Sequence, residues 1–202
     1  MPRYPAATQD REVAMSPRPK LLDVCCGAGG AAAGYARAGF EVTGVDIVPQ
    51  PDFPFEFIRG DALEVLADRE FVSRFDAVHG SPPCQLWATA TLSQRKASKE
   101  YPDLITPLRK LLEASGLPWV MENVPQAPLR ADVGLCGCMF GLELEGVGQL
   151  RRERIFELSW HRRMTAAHLP QHQVTTTGGA AEQGEHGIML LPGRSREAIS
   201  HA

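Results

Sequence analysis

The sequence lacks any apolar run approaching the roughly 20 residues of a membrane-spanning helix. It also lacks a basic excess: 21 Lys and Arg stand against 24 Asp and Glu, a net charge of −3. A chain so balanced does not attract nucleic acid as a whole, so a nucleic-acid-binding face would need a local basic cluster. A disulfide framework is not expected either, because the five cysteines (Cys25, Cys26, Cys84, Cys136 and Cys138) are few and odd in number. Cys136 and Cys138 form a C-x-C pair with no second pair at zinc-ligand spacing, so no metal site is expected. Residues 1–19 are polar and Pro-rich, without the apolar centre of a signal peptide. They read as a disordered lead-in to a cytoplasmic protein. No internal repeat is visible.

What is present suits one soluble domain. The 202 residues can bury a real core, and 44% hydrophobic with 22% charged residues is an ordinary globular balance. Strands are predicted at Lys20–Val24, Phe40–Val45, Phe55–Ile58, Asp76–His79, Trp119–Met121 and Arg152–Leu158. Helices are predicted at Ala31–Ala38, Ala62–Phe71 and Leu104–Ala114, with Gly39 and Gly116 placed as C-terminal caps. Arg95–Glu100 reads as a charged loop. After Pro125 the pattern weakens, and the last 40 residues show no clear period. This alternation is that of a doubly wound α/β sheet, in which ligands sit at the C-terminal ends of the strands.

The strand ends hold the informative residues. The first runs into Asp23-Val24-Cys25-Cys26-Gly27-Ala28-Gly29-Gly30. Gly27, Gly29 and Gly30 let backbone approach a ligand, and the following helix offers free N–H groups. A tight turn needing glycine only for packing is the plainer alternative. The second strand ends at Asp46, suited to ribose hydroxyls, and the third at Asp61, suited to an adenine amino group. A redox dinucleotide fits less well, because Ala32 stands where G-x-G-x-x-G needs its third glycine. The fourth strand ends in Gly-Ser-Pro-Pro-Cys-Gln. Two prolines stiffen the loop and hold Cys84 at the ligand edge as a candidate nucleophile; a buried small hydrophobe is the ordinary alternative. The fifth ends in Met-Glu-Asn-Val-Pro-Gln, where a partly buried Glu122 can hold a proton for a ring nitrogen or can simply cap a helix.

The motifs DVCCGAGG, GVDI, GDA, GSPPCQ, MENV and RRERIF follow one another from Leu21 to Leu158. In order and approximate spacing this stretch resembles the DNA cytosine-5 methyltransferase family, and it is similar to the compact members found in phage and prophage genomes. The resemblance implies a Rossmann-like α/β sheet of the S-adenosylmethionine-dependent methyltransferase type, with S-adenosyl-L-methionine as cofactor and double-stranded DNA as partner. It implies work in a bacterial or phage-infected cell, with a place in DNA methylation or restriction-modification. Cys84 would attack carbon 6 of a flipped-out cytosine. Glu122 would engage ring nitrogen 3 and the exocyclic amine, and Asn123 would fix the loop. Arg152 and Arg154 would support the base and the nucleophile loop. Cofactor positions would be Asp23, Cys25, Cys26, Gly27, Ala28, Gly29, Gly30, Asp46, Ile47, Asp61, Ala62 and Pro83.

Four departures from the family pattern stand out. Cys25 occupies a position where members often carry an adenine-packing Phe. Leu150 replaces the Gln of the arginine element. Only 44 residues follow Leu158, where members usually have a target-recognition domain of about a hundred residues or more. A late Gly-Asn motif is missing. Within the tail, Trp160-His161-Arg162-Arg163 is a candidate for phosphate contacts or a solvated surface. Val174–Gly179 resembles a late loop of the family, and Leu135–Gly141 echoes another near its DNA face. The expected organisation is a lead-in (1–19), a catalytic domain (20–158) and a short C-terminal segment (159–202). Two other classes stay open. One is a catalytically weak regulatory or decoy protein that binds cofactor or DNA; the other is a cytosine-5 enzyme acting on RNA or nucleotides.

Overall fold

A computed structural model describes residues 17–88, 101–141, 143–144, 148–160 and 174–175. Its strands are β1 (Lys20–Val24), β2 (Glu41–Asp46), β3 (Glu56–Arg59), β4 (Ala77–Gly80), β5 (Trp119–Asn123), β6 (Val133–Cys136), β7 (Glu143–Leu144), β8 (Gly148–Arg151), β9 (Glu153–Leu158) and β10 (Val174–Thr175). Its α-helices are α1 (Gly30–Arg37), α2 (Ala62–Ala67), α3 (Arg69–Val72) and α4 (Ile105–Ser115). Seven strands form one sheet in the order β3-β2-β1-β4-β5-β9-β6, and β10-β8-β7 form a small second one. The first five strands of the large sheet are parallel; β9 runs antiparallel to both β5 and β6. Among the described residues, no helix is long and apolar enough to cross a membrane.

The centre of the sheet follows from β1. Four of its five residues are buried, as a parallel strand covered on both faces requires. Leu22 and Val24 join the larger core with Leu66 of α2, Val72 of α3 and Ile105, Leu108 and Leu112 of α4. Those last three recur at helical spacing and form the apolar stripe of α4. Leu21 enters the opposite core with Ala32 of α1, Val42 and Phe53. The strand order reverses between β1 and β4, so the loops leaving these strands diverge and open a crevice at their C-terminal ends.

Three differences from the sequence reading have local causes. The helix expected over Ala62–Phe71 breaks at Asp68, whose carboxylate accepts from the Phe71 N–H at 2.9 Å and starts α3. β5 runs two residues past Met121, because its polar end pairs with Phe156 and Ile155 of β9. β6 has no strong pattern of its own and exists through its pairing with β9.

Phe53 locks the β2 side of the sheet. A Cβ on Gly44 would lie 2.3 Å from Phe53 Cζ, and one on Gly29 would lie 3.0 Å from Phe53 Cδ2. The ring, 9% exposed, sits in the space that these two glycines leave, against Phe55 and Phe57. At the other side, an ion network seats β9. Glu157, 3% exposed, is gripped by Arg109 of α4 through Nε (3.0 Å) and Nη2 (2.8 Å), and it accepts from the Arg130 N–H at 3.0 Å. Asp132 takes Arg130 Nε at 2.8 Å and the Leu158 N–H at 2.9 Å.

Two outcomes follow for stability. Gly44→Ala should cost about 1–3 kcal/mol in denaturant unfolding, and less in a Phe53→Leu background, because the clash is with that ring. Arg109→Leu should cost about 3–5 kcal/mol by leaving Glu157 buried with only the more distant Arg130 guanidinium, 3.9 Å away, as a cation; adding Glu157→Leu should restore much of that loss.

Candidate active site

The turn after β1 requires left-handed backbone at three points: Cys25 (φ 57°), Gly27 (φ 51°) and Gly29 (φ 88°). Cys25 is the non-glycine among them, a strained conformation of the kind that gathers at ligand sites. The loop is tied to the neighbouring strand. The Cys26 N–H donates to the Val45 carbonyl at 3.1 Å and the Gly27 N–H to Asp46 Oδ2 at 3.0 Å. Asp46 Oδ1 accepts from the Val48 N–H at 2.9 Å, which fixes the carboxylate. Asp61 caps α2 by accepting from the Leu63 N–H at 2.7 Å.

An open cleft lies in front of these strand ends. Of the expected cofactor residues, Cys25, Asp46, Ile47, Asp61, Ala62 and Pro83 line it. Gly27, Ala28, Gly29 and Gly30 form the adjoining loop and helix start, whereas Cys26 is buried in the core beneath α1. Ser81, Leu63, Leu104 and Leu108 also line the cleft and were missed. Ser81 stood beside the Pro-Pro-Cys motif as a visible signal. The leucines read only as the apolar stripe of α4 or the first turn of α2.

Asp23 is fully buried beside this loop, and neither carboxylate oxygen has a hydrogen bond of normal geometry. Burial pushes it up to about 7; the Ala32 N–H offsets this in part, while the charges of Asp46 and Glu122 add to it. Cys25 is pushed up to about 12, first by burial and then by Asp46, Asp23 and Asp61. It therefore carries no appreciable thiolate at neutral pH and is unsuited to act as a nucleophile.

The reactive end is assembled across β4, β5 and β9. Pro82 and Pro83 bring no N–H donors, and the buried Pro82 carbonyl is satisfied by Asn123 Nδ2 at 2.8 Å. Asn123 Oδ1 in turn accepts from the Val124 N–H at 2.9 Å. Cys84 follows, half-buried against the larger core, and its carbonyl starts a turn by accepting from the N–H groups of Trp87 (2.9 Å) and Ala88 (2.8 Å). Glu122, one residue before Asn123, pairs with Arg154 Nε at 2.7 Å. Arg152 lies where the charges of Arg154, Glu122 and Cys84 all act on it; desolvation and Arg154 hold its guanidinium below the usual value. The four expected catalytic residues thus converge at one edge.

The neighbouring segments are partly described. Gly137–Phe140 forms a 3₁₀ turn after β6, with Cys136 and Cys138 buried and neither one in a disulfide. Among the described residues, no group of three or more His, Cys, Asp or Glu could hold a metal ion. Val174–Thr175 pairs with Leu150–Arg151, beside the arginine element. Trp160 is exposed. Arg95–Glu100, His161–Arg163 and residues 176–179 lie outside the described residues.

No protein-family model matches the chain, and no curated protein matches it in sequence. Solved structures do match. A triple mutant of DNMT2 from Spodoptera frugiperda aligns at 18% identity with a TM-score of 0.50, over 76% of this chain and 56% of that one. A 1,6-didemethyltoxoflavin-N1-methyltransferase from Burkholderia thailandensis, crystallised with S-adenosylhomocysteine, aligns at 18% identity and a TM-score of 0.36, over 69% and 54%. A SAM-dependent methyltransferase from Agrobacterium tumefaciens aligns at 23% identity and a TM-score of 0.33, over 54% and 39%. The chain spans between 39% and 56% of the length of these structures. The sheet topology and the likeness to DNMT2 together give the fold: a Rossmann-like sheet of the S-adenosylmethionine-dependent methyltransferase type.

Proposed function

We propose that this protein is an S-adenosylmethionine-dependent methyltransferase that modifies carbon 5 of cytosine in double-stranded DNA through Cys84. The observation that carries this reading is the Asn123–Pro82 hydrogen bond, which joins the Cys84 loop to the Glu122–Arg154 pair at the cleft edge.

The residues around the cleft fit the cofactor. Asp46 and Asp61 offer carboxylates for ribose hydroxyls and an adenine amino group, with Ile47 as an apolar cover. Buried Asp23, whose ionised form only the Ala32 N–H helps to hold, favours a cationic ligand, because a positive charge drawn into the cleft offsets the cost of ionising it. S-adenosylmethionine would supply an electrophilic methyl group there.

The protein's own groups account for the rest. The Cys84 thiolate bonds to carbon 6 of the ring, and the electron pair released toward carbon 5 makes that carbon nucleophilic. Glu122, oriented by Arg154, protonates or hydrogen-bonds ring nitrogen 3 as charge builds there. After carbon 5 is methylated, solvent water as base takes its proton, the electron pair re-forms the 5,6 double bond, Cys84 leaves as the thiolate, and ring nitrogen 3 returns any proton it took to Glu122. Arg152, placed where the charges of Cys84 and Glu122 act on it, offers a cation to a nearby phosphate. Cys25 takes no part as a nucleophile, for the reason given above.

The test is methyl transfer from labelled cofactor to duplex DNA, RNA and dCMP in parallel. Duplex DNA should be labelled and should trap the protein covalently when it contains 5-fluorocytosine. Cys84→Ala should abolish both signals, and Glu122→Gln should slow transfer by about 10²–10⁴-fold with the fold intact. Labelling of RNA or dCMP alone would move the substrate. Cofactor binding without transfer to any of them would leave a binding protein.

Asp23 gives a pH signature. Its folded value lies near 7 against an ordinary 3.8, so its neutral form is the one the fold tolerates. Its contribution to stability is intact below about pH 4 and is lost as pH rises toward 7, at up to about 1.4 kcal/mol per pH unit. Unfolding measured from pH 4 to 8 should show Asp23→Asn gaining on the wild type across that window and then levelling off. Parallel curves would refute the assignment.

A further inference from the structure

A second polar cluster, separate from Cys84 and Glu122, lies under the cleft. His79 on β4 is 2% exposed, and both ring nitrogens are engaged: Nδ1 with Tyr35 Oη at 3.0 Å, Nε2 with Ser81 Oγ at 2.8 Å. Tyr35 reaches it from α1, its ring 5.3 Å from the imidazole in an edge-on contact. Ser81 carries the chain into the cleft wall.

We propose that Ser81, oriented by the Tyr35–His79 hydrogen-bond chain, is the donor that binds the carboxylate of the cofactor's amino-acid end. This rests on the cofactor reading above and extends it to a particular group.

Three observations support it. The first is the distribution of charge along the cleft. Asp46 and Asp61, on β2 and after β3, occupy one side of β1; Ser81 follows β4 on the other. Two carboxylates repel a third, so an anionic ligand group is directed to the Ser81 side.

The second is proton bookkeeping along the chain. Burial pushes the Tyr35 phenol up to about 12 and His79 down to about 4, so at neutral pH the phenol keeps its proton and the imidazole is neutral, with one. If the phenol donates to Nδ1, the ring proton sits on Nε2 and donates to Ser81 Oγ. The Ser81 hydroxyl proton is then left to donate into the cleft. The other tautomer uses the Ser81 proton on the ring and leaves the phenol proton without a partner in this chain, which part-burial penalises.

The third is register. His79 lies directly opposite Asp23, and the Ser81 N–H donates to the Val24 carbonyl at 3.1 Å. An acidic group that favours a cation and a hydroxyl donor that favours an anion therefore sit on adjacent strand ends, complementary to an amino acid's ammonium and carboxylate. The Tyr35–His79 pair acts through Ser81 and is a positioning pair.

The test is calorimetric binding of two ligands, S-adenosylhomocysteine and 5′-methylthioadenosine, which share the nucleoside but differ in the amino-acid end. Ser81→Ala should weaken S-adenosylhomocysteine about tenfold or more and leave 5′-methylthioadenosine within about twofold. Ser81→Thr, which keeps the hydroxyl, should restore most of the difference. Tyr35→Phe should weaken only S-adenosylhomocysteine, by a smaller factor of about threefold, because Nδ1 loses the donor that fixes the ring proton. Equal losses for both ligands, or none, with thermal unfolding unchanged, would overturn the proposal and spare the cofactor reading. A wild type that binds neither ligand would overturn both.

Discussion

The Pro82 carbonyl lies buried in a loop whose two prolines offer no N–H groups, so its hydrogen bond has to come from elsewhere. Asn123 supplies it from the end of the neighbouring parallel strand. That single contact couples two loops that leave the sheet separately. It sets the height of Cys84 above β4 relative to Glu122, the residue before Asn123 on β5. Without it the candidate nucleophile and the candidate acid would each sit on a loop with no shared reference.

The antiparallel strand β9 extends the same coupling sideways. Its register against β5 places Ile155 opposite Asn123 and Phe156 opposite Glu122, which brings Arg154 to the Glu122 carboxylate. That register is secured at the far end, where Glu157 and Asp132 meet Arg109 and Arg130. A buried ion network distant from the chemistry therefore determines where an arginine in the chemistry lies. Such networks gain little net stability against apolar packing, but their geometry specifies one register among several.

The cleft has a different logic, in which charge rather than packing is arranged. Asp23, Asp46 and Asp61 concentrate negative charge at the ends of the first three strands. Burial first, and then that concentration, holds the Cys25 thiol protonated and raises Asp23, and the charge disposes the cleft toward a cationic ligand. The polar side chain that differs in kind is Ser81, backed by a neutral imidazole and a phenol. The separation of the acidic side of the cleft from its hydroxyl side follows from the strand order, because β4 leaves β1 on the side opposite β2 and β3.

Local sequence was enough to identify the strand-helix alternation, the Gly-rich turn, the aspartates at Asp46 and Asp61, and the stiff Pro-Pro-Cys loop. Each of these depends on interactions within a few residues: apolar periodicity, positive φ at glycine, and proline's missing donor. The break at Asp68 was also local in cause, but the continuing helical spacing hid it. The strand order, the edge strand β6, the pairing of Arg154 with Glu122, and the buried chain from Tyr35 through His79 to Ser81 were not legible. They join residues tens of positions apart in sequence, Tyr35 and His79 by 44, and no short-range pattern encodes which distant partner a buried polar group will find. Tyr35 alone reads as an aromatic on a helix, and His79 as a polar interruption in a strand. Only their burial between α1 and the sheet, where each must satisfy the other, gives them a shared role.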